Sequence, residues 1–225
     1  MGEAVGFHAY GGPDVLRLLH IDVGAPAAGQ VRVRVRAAGV NPVDCKLRRG
    51  DFAEGGDTFP QRLGNEFAGT VEQVGPGVTG LAPGDDVLGF TVLQAYATAI
   101  VVDAAQVVAK PEPLSWPVAG SLSAVGQAAH GAVRELGIAH GNTVLVHGAG
   151  GGVGTVAVQL ARRAGATVVG TAHPDDADHV RALGAVPVAY GDGIVDRVRA
   201  AAPRGVDAAL DTAGGEAVAV SVALA

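Results

Sequence analysis

Val144-Leu145-Val146-His147-Gly148-Ala149-Gly150-Gly151-Gly152-Val153-Gly154 is an apolar run that stops in glycines, and a helical pattern follows at once. A strand, a tight turn and a helix N-terminus built to hold a pyrophosphate read this way. The glycines let the backbone approach a ligand, and the first-turn N–H groups have no partner inside the helix. A dinucleotide is the first expectation. No frame of the run gives a full G-x-G-x-x-G. The best frame is Ala149, Gly151, Gly154, with alanine where the first glycine belongs.

Downstream, Val153, Val156, Ala157, Leu160, Ala161 and Ala164 fall on one helical face closed by Gly165. A strand over 167–171, a helix over 175–183 ending at Gly184 and a short strand over 186–189 come next, then a helix over 194–202 and a strand over 206–211. Upstream, Ser115 caps a helix with Pro117 in its first turn, and helical patterning runs to Gly137 before the strand at 143–146. Repeated β-α units imply a parallel sheet with right-handed crossovers. A full dinucleotide sheet has about six strands. Four are read here, and 217–225 reads as a helix in progress, so the second half is expected to be incomplete.

The first half reads as β. Residues 30–36 alternate Val31, Val33, Val35 with Arg32, Arg34, Arg36, the period of a half-buried strand with a solvated arginine face. Strands are also predicted at 70–74, 87–90 and 95–102, separated by turns such as Gly75-Pro76-Gly77 and Pro83-Gly84-Asp85. This pattern suggests a compact antiparallel barrel or sandwich. The texture changes near Lys110-Pro111-Glu112-Pro113, which places a domain boundary near residue 115.

The 225 residues, 48% hydrophobic and 17% charged, can bury a real core in one or two domains. A formal net charge of −6 gives a nucleic-acid partner no electrostatic support. No apolar stretch is long enough for a membrane span, and the N-terminus carries neither a signal-peptide pattern nor a myristoylation signal, so a cytoplasmic protein is expected. Cys45 is the sole cysteine, which excludes an intrachain disulfide and a multi-cysteine metal site. It is read as a passive small hydrophobe.

With these pieces in order, the chain resembles the zinc-independent medium-chain dehydrogenase/reductases, the quinone oxidoreductase (zeta-crystallin-like) group. The carriers are Ala38-Gly39-Val40-Asn41-Pro42-Val43-Asp44 and Gly64-Asn65-Glu66-Phe67-Ala68-Gly69 with Val74-Gly75 and Gly84-Asp85-Asp86-Val87. Residues 144–154 and Asp211-Thr212-Ala213-Gly214 complete them. The resemblance implies a GroES-like β-barrel catalytic domain over 1–115 and a Rossmann doubly wound parallel sheet, C-terminally incomplete, over 116–225. Zinc-dependent relatives place a cysteine where Asn41 stands and a histidine where Asn65 stands. Amides bind Zn²⁺ poorly, so no metal is expected.

Without a Lewis acid, direct hydride transfer to a polarised acceptor is the natural chemistry, the cofactor doing the hard step. The resemblance thus implies reduction of a quinone or an activated C=C bond of a small-molecule substrate. By analogy Asn41 and Asp44 lie near nicotinamide and substrate: Asn41 to hydrogen-bond ribose or acceptor oxygen, Asp44 to orient it; the alternative is that both simply fix a loop, since Asn-Pro starts turns well. Phe52 stands where relatives often have an aromatic hydroxyl, so no proton donor is assigned. His130, in Gly126-Gln127-Ala128-Ala129-His130, is read as a helix-packing residue.

Ala149, Gly151, Gly152, Val153 and Gly154 are expected to bind the cofactor, with Asp211, Thr212 and Ala213 beside them. An NAD-binding sheet usually ends its second strand in an acidic residue that holds the ribose 2′-OH. Here that place is Thr171-Ala172-His173, which removes repulsion against a 2′-phosphate. Thr171 and His173 can donate to one, and Tyr190 matches a family position that reaches it. Asp175 and Asp176 follow, with helix N-terminal charge as their bland role. NADP(H) is favoured. The alternatives are an enoyl-thioester or 2-alkenal reductase, or a catalytically impaired nucleotide-binding fragment. A family-type homodimer is expected only with the missing C-terminal part present.

Overall fold

A computed structural model describes residues 1–53 and 55–224. The chain divides into two compact units, Met1–Ala124 and Val125–Ala225.

In the first unit, β1 (Gly2–Phe7) pairs antiparallel with β2 (Arg17–Ile21) and, on its other edge, with the short β4 (Gln61–Arg62). β3 (Gln30–Ala38), β5 (Glu66–Val74), β6 (Asp86–Phe90), β7 (Ala99–Asp103) and β8 (Val107–Ala109) form a five-stranded sheet in the order β7-β3-β5-β6-β8. The valine–arginine alternation of β3 works as expected. Val31 and Val33 are fully buried with Phe67, Val71, Val87 and Ile100, while Arg32 and Arg34 reach Glu72 on the neighbouring strand at 3.1 and 3.5 Å. Such half-exposed pairs add little stability, and the apolar face carries the sheet.

Three local expectations are corrected. The strand read over 95–102 starts only at Ala99. The N–H groups of Gln94 and Ala95 go to Gly64 O and that of Tyr96 goes to Leu63 O, which draws this stretch out of the sheet. The single helix read from Ser115 to Gly137 is two: α2 (Trp116–Gly120) and α3 (Ser123–Glu135). Ser121 turns its hydroxyl onto Pro117 O and Val118 O at the break. Gly120 packs so tightly on β3 that a Cβ there would stand 2.7 Å from Ala37 Cβ. The Asn41-Pro42 stretch is no plain turn but the start of α1 (Pro42–Arg49), ended by Gly50 at φ +87°.

The second unit alternates strand and helix: β9 (Thr143–His147), α4 (Gly152–Arg163), β10 (Thr167–Ala172), α5 (Ala177–Ala182), β11 (Val186–Ala189), α6 (Ile194–Ala201), β12 (Ala208–Asp211) and α7 (Ala217–Leu224). The strands are parallel in the order β11-β10-β9-β12. One face, with Val144, Val146 and Val168, packs under α3, α4 and α5, and the other, with Leu145, Val169 and Val188, packs under α6 and α7. Ala225, read as the end of the last helix, lies outside the described residues. The chain runs outward from β9 through β10 to β11 and then crosses back to β12 on the other side of β9, and the C-terminal strand ends at such a switch point are where open α/β sheets bind ligands.

Candidate functional site

The glycine turn sits at that point. Gly148 takes φ +71°, and its N–H donates to Thr171 Oγ1 at 3.3 Å. Ala149 N–H donates to Thr171 O at 2.9 Å and Gly151 N–H to Gly148 O at 3.0 Å. Ala149 needs no positive φ, and its methyl is wholly buried in the core beneath α4, so alanine suits the place where a glycine was looked for. Gly151 caps α4, and the first helical N–H to find a partner is that of Thr155, on Gly151 O at 2.8 Å. The N–H groups of Gly152, Val153 and Gly154 are therefore open to a ligand. Val153 turns its side chain to the core and can offer only backbone.

The glycines differ in what they answer to. A Cβ on Gly154 would stand 2.1 Å from Gly148 O, so the turn itself requires glycine there. Gly151 has φ −79° and meets only Gly148 O, at 3.3 Å. The fold asks for a glycine at 151 far less strictly than at 154.

Beside the turn lies a cavity of about 380 Å³ at the strand ends, lined among others by His147, Thr171, Tyr190, Ala213 and Glu216. Tyr190 is exposed, and the ring of His173 stands 6.1 Å from its ring. Thr171, expected to donate to a phosphate, has its hydroxyl among other polar groups. It is buried, and its hydroxyl is already shared between His147 Nδ1 at 3.2 Å and Gly148 N–H. His173 Nδ1 accepts from Asp175 N–H at 3.3 Å. Asp211 Oδ1 accepts from Ala213 and Gly214 N–H at 2.8 and 2.9 Å, and Thr212 donates its hydroxyl to His147 O at 2.7 Å. These two residues shape the second loop of the cavity. Burial holds the His147 imidazole below its ordinary range, partly offset by the Asp211 carboxylate, so it is neutral at pH 7.

In the first unit, the carboxylate of Asp44 accepts three hydrogen bonds: Asn41 N–H at 2.8 Å, Gly64 N–H at 3.1 Å and Tyr96 OH at 3.0 Å. Reaching back from the first turn of α1, it closes half a capping box. Asn41 Nδ2 donates to the buried Glu66 Oε1 at 2.8 Å, while Glu66 Oε2 takes Ala124 N–H at 2.7 Å. Asn65 Oδ1 accepts from Leu93 N–H at 3.1 Å. Burial and the Asp44 charge hold the Tyr96 phenol well above its usual range, so it stays a donor. Phe52 is exposed beside a cavity of about 340 Å³ that Tyr10, Leu47, Arg62 and Leu93 also line. Cys45 is a free, partly buried thiol, and His130 is exposed on α3 where packing was expected.

Residues 27–172 match the family described as the alcohol dehydrogenase GroES-like domain, and residues 152–225 match the zinc-binding dehydrogenase family. The quinone oxidoreductase of Coxiella burnetii superposes with a TM-score of 0.88 at 30% identity, covering 99% of this chain and 72% of that one. The chain belongs to the quinone oxidoreductase group of the medium-chain dehydrogenase/reductases. The Escherichia coli quinone oxidoreductase, solved in complex with NADPH, gives a TM-score of 0.88 at 28% identity over 99% of this chain and 69% of that chain. The spectinabilin polyketide synthase system protein NorB of Streptomyces orinoci is 41% identical over 210 residues, 90% of this chain but 9% of NorB.

At positions 41 and 65 the zinc named in one family description meets poor donors. Asn41 and Asn65 offer carboxamides that are already hydrogen-bonded to Glu66 and Leu93. Among the described residues no group of three His, Cys, Asp or Glu side chains could hold a metal ion. No helix there is long and apolar enough to cross a membrane.

Sequence reasoning missed Tyr96, Glu66 and His147 as parts of these networks, and Glu216 beside the cavity. His147 carried a signal, being a titratable residue at the end of an apolar run, Val144-Leu145-Val146. Glu66 stood in a quoted motif, but its partners were not read from it.

Proposed function

We propose that the chain carries the catalytic and nucleotide-binding machinery of an NADPH-dependent, zinc-independent oxidoreductase that reduces a quinone or an activated alkene. The glycine turn at the end of β9, with its open N–H groups and a glycine at 151 that its backbone conformation does not require, is the observation that carries this reading. The residues fit a dinucleotide: three unpartnered N–H groups in the first turn of α4 suit a pyrophosphate, and the cavity at the strand ends suits an adenosine. When bound, NADPH supplies the hydride. Tyr190 lines the cavity with the His173 ring 6.1 Å from its own, and the absence of a carboxylate from 171–173 supports the phosphorylated cofactor. The E. coli neighbour was solved with the same cofactor.

Asn41 is the residue proposed to contact the ribose or the acceptor oxygen. Glu66 fixes one N–H of its amide, which leaves the carbonyl oxygen and the second N–H for that contact. Asp44 positions this loop: its carboxylate is spent on protein donors. A second reading, reduction of enoyl thioesters or 2-alkenals, is supported by the likeness to the CurK enoyl reductase structure, with a TM-score of 0.91 at 29% identity over 99% of this chain and 70% of that one.

Fluorescence titration of the two reduced cofactors tests the nucleotide reading. NADPH is expected to bind more tightly than NADH. Tighter binding of NADH reverses the preference, and binding of neither removes the nucleotide reading altogether.

A further inference from the structure

We infer that Asp176 limits how strongly the nucleotide site takes a 2′-phosphate, and that it acts from beside the glycine turn rather than from the end of β10. The inference rests on the nucleotide reading above. It starts from a contact: a methyl group built on Gly150 would stand 3.0 Å from Asp176 Oδ2 and 3.2 Å from Asp176 Cγ. The carboxylate is therefore laid against the turn whose N–H groups await a negatively charged ligand.

The backbone holds it there. β10 ends at Ala172, and a 3-10 turn, Pro174–Asp176, follows with Asp176 N–H on His173 O at 3.0 Å. That turn lies just past the stretch where dinucleotide sheets meet the ribose 2′ position, so Asp176 faces the ground between 2′ substituent and glycine turn. Nothing neutralises it. The Asp176 carboxylate has neither an ion pair nor a hydrogen bond among the described residues. No lysine or arginine occurs in 148–156 or 171–177. The nearby His173 is turned to Asp175, whose carboxylate lies 3.4 Å from its Nδ1. A 2′-phosphate thus meets one uncompensated negative charge that a 2′-hydroxyl does not feel. The N-terminal dipole of α4 offsets this only in part.

The test is the dissociation constant of each reduced cofactor, read by fluorescence, for the wild type, Asp176→Asn and Asp178→Asn. Asp178 is a matched control, an exposed carboxylate two residues on that already faces Arg181. Asp176→Asn is expected to tighten NADPH about tenfold and NADH about threefold or less, and the gain shrinks in high salt. Asp178→Asn is expected to change neither. An equal gain for both cofactors, no gain, or the same gain in Asp178→Asn overturns the inference. The two readings fail separately. A wild type that prefers NADH but is switched by Asp176→Asn upholds this role and removes the NADPH preference. Binding of neither cofactor by any of the three proteins overturns both.

Discussion

Asp44→Ala should unfold the first unit at markedly lower temperature. The substitution leaves Asn41 N–H, Gly64 N–H and the Tyr96 hydroxyl without the carboxylate they share. Asp44 is only 3% exposed, so water does not replace it freely. A buried donor left unpaired costs about 1–3 kcal/mol, which gives a loss of about 4 kcal/mol for the set. In a protein of this size that is roughly 8–16 °C in Tm. Asp44→Asn keeps the shape and one good acceptor, and about half the loss is expected. Thermal unfolding followed by circular dichroism measures both. The alternative, that Asp44 takes a direct part in the reaction and holds nothing in place, makes the opposite forecast: an unchanged Tm with a collapsed kcat. That outcome would sink the positioning role.

Two glycines of one turn should separate folding from binding. In Gly154→Ala the new methyl meets Gly148 O at 2.1 Å and Ala149 Cα at 2.8 Å, both backbone atoms that cannot swing aside. The turn must open, at a cost of about 3 kcal/mol. The displaced N–H groups should weaken NADPH at least about a hundredfold, equivalent to about 2.8 kcal/mol. In Gly151→Ala the methyl touches only Gly148 O at 3.3 Å, in a conformation open to any residue. Its Tm should stay within about 2 °C, while the methyl occupies the path of the pyrophosphate and weakens NADPH at least about tenfold. Parallel melting and titration of the two variants give the comparison. If Gly151→Ala binds NADPH as the wild type does, the ligand does not approach the turn there.

Much of the second unit was legible because its rules are local. Apolar runs of strand length alternate with helical faces closed by Gly165 and Gly184, and the β-α order follows from them. The first unit was harder, for reasons that differ from place to place. Helix α1 had a readable signature: Asn41 at the cap, Pro42 first, an acid three residues past the cap and Gly50 at the end. It was passed over because Asn-Pro also starts turns. The overlong strand at 95–102 could not have been trimmed from pattern alone. What removes residues 95–98 is bonding of Ala95 and Tyr96 to Gly64 and Leu63, some thirty positions back, and of Thr98 to Glu3, far up the chain.

The site divides along the same line. The glycine turn is contiguous, and its residues announce it. The network around Asn41 joins positions 25 apart to Glu66, 20 apart from Asp44 to Gly64 and 52 apart from Asp44 to Tyr96. No spacing rule links such residues before the chain is folded. For the same reason the hydroxyl of Thr171 looked free in sequence. Only the sheet, which sets β10 beside β9 with Thr171 opposite His147, shows it already engaged.

The central claim is hydride reduction that needs NADPH and no metal. Its most direct test is NADPH oxidation by a simple 1,4-naphthoquinone, followed by loss of nicotinamide absorbance. The rate is measured before and after exhaustive dialysis against a chelator, with an enoyl thioester run alongside. The rate with quinone should be unchanged by dialysis and should exceed that with the thioester. A rate that vanishes on dialysis and returns with Zn²⁺ would contradict the claim, as would a protein that oxidises no NADPH with either acceptor.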